Sequence, residues 1–188
     1  MLRDIINATG LNLTKGYNNV KTLYERYKKL NINGTLICLE QVKDIYPYFC
    51  YPTNAEAIGF EGNVMYCFIE PYGDMVFSCN PETYAEVFVY PLARTFEDFI
   101  RLILACGSAN PIEQIIWMNK EQFAEHLQKE KAIRTEEQKA IINYLEKELS
   151  ISPMDDPYDY VKEVQSHFDN RNIAYSGEYY DVLGIKRE

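Results

Sequence analysis

The chain has only two imidazoles, His126 and His167, and acid–base chemistry near neutral pH falls first to that side chain. His126 lies in the charged run Glu125-His126-Leu127, with Glu130 four residues on. That spacing puts both on one helix face, as metal pairs require, but two ligands on a solvated face do not make a metal centre. His167 precedes Phe168 near a helix end. Neither histidine stands beside a cysteine or serine in a nucleophile setting. Carboxylates pair at Glu97/Asp98, Glu136/Glu137 and Asp155/Asp156. The first two pairs fall in predicted first helical turns, where the helix dipole accounts for them. The third joins Asp159 to make the densest acidic spot in the chain. Its functional readings are a docking patch for a basic partner or a weak calcium site, and its plain reading is helix-start chemistry. An EF-hand is excluded, since the spaced ligands and terminal Glu are missing. Gly59 and Gly62 fit no phosphate-cradling loop, and Gly107-Ser108 lacks the glycines of a nucleophile elbow. No catalytic residue, metal or cofactor is therefore expected.

Cys38, Cys50, Cys67, Cys79 and Cys106 are odd in number and form no C-x-x-C. They read as buried free thiols, small hydrophobes in a reducing compartment. No signal-peptide core opens the chain and no apolar run reaches membrane-spanning length, so a cytoplasmic protein is expected. A net charge of −9 opposes binding to nucleic acid or to anionic lipid, and suits a basic protein partner. Aromatics make up 14% of the 188 residues, with 16 tyrosines. Rings with wet hydroxyls belong at core margins and interfaces.

These residues must be positioned by one domain spanning 1–188. Leu2, Ile5 and Ile6 mark a first short helix, and Val20, Leu23, Tyr24 and Tyr27 a second. Thr35 to Leu39 reads as a buried strand or as the opening of a helix running to Ile45, with a strand followed by a turn preferred. Ala57–Phe60, Val64–Glu70, Met75–Cys79 and Tyr84–Val89 read as an antiparallel meander with turns at Glu61-Gly62-Asn63 and Pro71-Tyr72-Gly73-Asp74. The sheet core thus runs from about 35 to 92. Helices follow from about 95 to 170, with Thr95, Asn110, Asn119, Thr135 and Asp156 as predicted N-caps. Trp117 reads as a core or core-edge anchor. Tyr179, Tyr180, Val182, Leu183 and Ile185 imply that the last residues pack back on the domain. The fold class is α+β: N-terminal helices, a small curved and mostly antiparallel sheet, and C-terminal helices packed on it.

One stretch is family-like. Tyr90-Pro91-Leu92-Ala93-Arg94 ends a strand, and Thr95-Phe96-Glu97-Asp98-Phe99-Ile100 opens a helix on a Phe-x-x-Phe spacing, after the Gly73-Asp74-Met75-Val76-Phe77 hairpin. This resembles the SMI1/KNR4 (SUKH) superfamily over residues 56–130. Where members carry a Leu-Pro-x-x-Tyr element, this chain has Ile45-Tyr46-Pro47-Tyr48-Phe49. The resemblance implies helices flanking a curved sheet and a non-enzymatic role. Bacterial members are immunity proteins that neutralise polymorphic toxins, and fungal relatives regulate cell-wall synthesis. The expectation is a protein-binding module with a basic toxin domain as partner, and Asp155, Asp156 and Asp159 as contact residues. The rivals are a regulatory or small-molecule-binding domain using a tyrosine-lined concavity of the sheet, and an enzyme of unfamiliar type using Glu, Asp and Tyr.

Overall fold

A computed structural model describes residues 23–42, 46–83 and 87–186. The helix expected at Leu2–Ile6, Val20, and Tyr84 to Glu86 of the expected fourth strand lie outside them. The chain is an α+β protein. Its sheet has four antiparallel strands in sequential order: β1 (Ala55–Glu61), β2 (Val64–Ile69), β3 (Val76–Cys79) and β4 (Val89–Ala93). Helix α1 covers 23–29. After the sheet come α2 (Phe96–Cys106), α3 (Asn110–Gln114), α4 (Lys120–Ile133), α5 (Glu136–Leu149), α6 (Pro157–Ser166) and α7 (Gly177–Leu183).

Both faces of the sheet are covered. Side chains alternate along a strand, so Val76 of β3 faces one layer while Phe77 and Cys79 face the other. On the first face Ile58, Tyr66, Val76 and Leu92 meet Phe96, Phe99 and Ile103 of α2, with Tyr24 and Tyr27 of α1 beside them. On the second, Phe60, Met65, Cys67, Phe77, Cys79 and Val89 meet Cys50, Tyr51 and Ile173. Here the tyrosine excess finds its place. Tyr175 and Tyr179 stack at 3.8 Å, and Tyr179 leans on Phe49 and Phe88, so α7 does pack back on the domain. Register shifts between Ala57 and Gly59 and between Val76 and Phe77 bend the sheet.

Three elements differ from the sequence reading. Thr35 to Leu39 is no strand: Gly34–Ile37 is a 3-10 turn whose Asn33 side chain accepts from Thr35 N, and only Glu40 bridges to Phe60. The sheet consequently begins at Ala55. The last strand starts at Val89 and includes Pro91, which an edge strand tolerates. Asn110 is the first residue of α3, not its cap; its amide instead donates to Glu61 Oε2 at 2.9 Å. The caps at Thr95, Asn119, Thr135 and Asp156 form as their spacing demands.

Candidate functional site

The β2–β3–β4 register places Tyr66, Ser78 and Tyr90 in one row across the sheet. Helix α3 sets Glu113 close by, 2% exposed. Asn80 donates to its Oε1 at 2.9 Å and Gln114 to its Oε2 at 2.7 Å. Burial raises the Glu113 carboxyl above its ordinary range, while the amides of Asn80 and Gln114 and the indole of Trp117 pull the other way. The hydroxyls of Tyr66 and Ser78 are enclosed without a hydrogen-bond partner among the described residues. Burial drives the Tyr66 phenol well up, and the nearby Glu61 and Glu113 carboxylates add to that. The sequence reading missed Glu113, although it is the only charged residue between Arg101 and Lys120. A single acid in so long an uncharged run is the signal that marks it.

Beyond this cluster a groove of about 370 Å³ opens at the β4 edge. Val87, Val89, Tyr90 and Pro91 form one wall; Ile116 and Trp117 close one end, and Gln165, Phe168 and Asn170 face them from the end of α6 and the residues after it. Trp117 is 45% exposed, so of the two expected places it takes the core edge and not the core. Its ring meets Tyr90 edge-on at 5.7 Å. Val87, at 40%, is the other large exposed apolar residue here. Gln165 Nε2 is enclosed and has no acceptor among the described residues.

No family model, curated protein or solved structure matches this chain.

The acidic spot is built around a helix start. Asp156 caps α6, accepting from Asp159 N. Lys120 Nζ lies 3.0 Å from Asp156 and 2.6 Å from Asp159, so a cation bridges two of the three carboxylates. The Asp159 amide and then Lys120 hold the Asp156 carboxyl below its ordinary range. Asp155 is exposed and unpaired among the described residues. Lys120 follows Trp117 by three residues, so one connection serves both groove and patch.

Neither histidine is among the residues lining the groove, although His167 sits between Gln165 and Phe168. His167 Nδ1 is 2.9 Å from Ser166 Oγ. Ser166 already donates to the Glu163 carbonyl at 2.8 Å, and His167 Nδ1 lies 3.0 Å from that same oxygen. Both side chains therefore close the last turn of α6, and the serine proton is committed to a carbonyl. Among the described residues no three His, Cys, Asp or Glu gather to hold a metal. All five cysteines are free. Burial lifts Cys38 and Cys50 to about 11 and Cys106 to about 12, far from the thiolate that nucleophilic chemistry requires. No helix of the described residues is long and apolar enough to cross a membrane.

Proposed function

We propose that this chain is a non-enzymatic, cytoplasmic binding protein whose partner is a basic protein, in the manner of the toxin-immunity members of the superfamily that residues 56–130 resemble. The observation that carries the reading is a coincidence at one sheet edge. Val87 and Trp117 stand exposed around a groove, and the sequence from Asp44 to Ala93, which supplies the whole sheet, contains no lysine or arginine. Half-exposed aromatic and aliphatic groups in a concavity are the anchors of protein interfaces, and a field of one sign speeds encounter with the opposite sign. Asp155, Asp156 and Asp159 extend that field beyond Lys120. Nothing on the groove walls is a nucleophile poised beside a base, which supports binding without turnover.

The test is capture of partners from lysate of the source organism at low and high salt. One stoichiometric basic protein, released by salt, is expected. Capture of an acidic protein, or retention indifferent to salt, argues against the reading.

A small-molecule reading has one observation in its favour. The groove falls within the ordinary ligand-pocket range, and Gln165 offers it an unused donor. Among the described residues both sheet faces are covered, so on this reading the groove, and not the concavity of the sheet, is the candidate site. A compound that raises the melting temperature with no protein present, and loses that effect in Trp117→Ala, supports this alternative.

A further inference from the structure

The β4 edge carries main-chain groups that meet no partner among the described residues. Asn80 N donates to Phe88 O at 2.9 Å, and Ser78 and Tyr90 are paired two residues further along the ladder. In an antiparallel ladder hydrogen-bonded and open pairs alternate, so Cys79 and Val89 form an open pair. The N–H and C=O of Val89 therefore point away from β3, toward the side where the groove lies. Neither meets a partner among the described residues. Val89 is 2% exposed, so bulk water reaches these groups poorly. Enclosed main-chain groups without partners are uncommon, and each favours an occupant that supplies the missing bond.

Three properties define that occupant. It must carry both a donor and an acceptor for Val89, and a further acceptor for Gln165 Nε2. It must place an apolar group against Val87, Ile116 and Trp117. It must suit a chain of net charge −9. Peptide main chain supplies the first, one apolar side chain the second, and flanking lysine or arginine the third. Lys162, a cation beside this end of the groove, is engaged, donating to Ile116 O at 3.3 Å with its ammonium over the Tyr158 ring. Helix α6 closes the far end of the edge, where Arg94 N donates to Tyr160 Oη at 2.9 Å. The open end of the edge is thus short.

We propose that this groove receives a short extended segment of the partner, which pairs with Val89 beside β4 and seats one apolar side chain against Trp117. The segment is apolar at its centre and basic at its flanks. The assignment rests on the protein-binding reading above and specifies where and how that binding occurs.

Trp117 is the only tryptophan in the chain, so its emission reports on this groove alone. The probe is a set of acetylated, amidated heptapeptides with lysine at both ends and each apolar residue in turn at the centre. At least one is expected to shift Trp117 emission to the blue with saturation. Val87→Arg, which crowds an exposed rim position, and N-methylation of the peptide's central amide are each expected to weaken that peptide at least tenfold. Circular dichroism and the melting temperature of Val87→Arg verify that it folds. No shift from any peptide overturns the proposal, as does a shift that both changes leave untouched. A basic protein captured from lysate that binds Val87→Arg undiminished also overturns the groove assignment, but leaves the protein-binding reading standing. Absence of any basic partner removes the reading itself.

Discussion

Glu113 shows what single residues contribute. Its burial raises its pKa in the folded state, so the native protein holds that proton more tightly than the unfolded chain does. The carboxyl therefore favours the folded state most at pH below its ordinary 4.5. That contribution fades as pH rises through the raised native value. Glu113→Gln should flatten this part of the profile, measured as melting temperature against pH from 4 to 7. An unchanged profile would mean that Glu113 titrates as a solvated acid. The thiols give a second residue-scale expectation. Alkylation of native protein by iodoacetamide should reach half-buried Cys38 before the enclosed Cys50, Cys67, Cys79 and Cys106. Their burial was legible from their apolar neighbours. The position of Trp117 was legible only as core or core edge, because Ile115-Ile116-Trp117 has the same composition whether it enters a core or only crosses its edge.

At the scale of elements, local chemistry was the legible part. Asn119 and Thr135 close capping boxes, Thr95 accepts from Asp98 N, and Asp156 caps α6. Asp156→Ala should lower stability by about 1 kcal/mol and Asp156→Asn by less, while Asp155→Ala should stay within about 0.5 kcal/mol, all read by denaturant unfolding. Gly107 ends α2 at φ 93°, and an added Cβ there would meet the Arg134 side chain, which bonds the Cys106 carbonyl. Gly107→Ala should cost about 1–2 kcal/mol from the backbone alone. What failed were readings decided by distant contacts. Thr35 to Leu39 has the composition of a strand, yet Asn33 and Gly34 turn it into a 3-10 turn, and Leu39 backs directly on Gly59 of β1. Asn110 before Pro111 is a cap by sequence, but Glu61, far along the chain, takes its side chain. The Tyr66–Glu113 cluster shares this origin, since residues from four separate elements meet there only after the sheet has paired.

For the whole molecule, order and alternation of elements were sufficient to give an α+β class with a sequential antiparallel meander. The groove was not legible, because it arises where α6, the α3–α4 connection and the β4 edge converge. On the proposed protein-binding reading, charge distribution and groove divide the work of binding. The Asp155, Asp156 and Asp159 carboxylates are exposed and partly offset by Lys120, so their part in that proposal is long-range and salt-dependent encounter. Reversing all three to Lys should slow association at low salt, with the difference vanishing at high salt. Equal rates at both salts would remove the patch from the interface. Trp117→Ala should act mainly on dissociation, at all salt concentrations.

The most direct test of the central claim is the affinity of the captured partner for wild-type protein and for Trp117→Ala, measured by calorimetry at two salt concentrations. The account predicts a basic partner bound one to one, weaker at high salt for both proteins, and at least tenfold weaker for the variant. A partner whose affinity ignores both salt and Trp117 would contradict it.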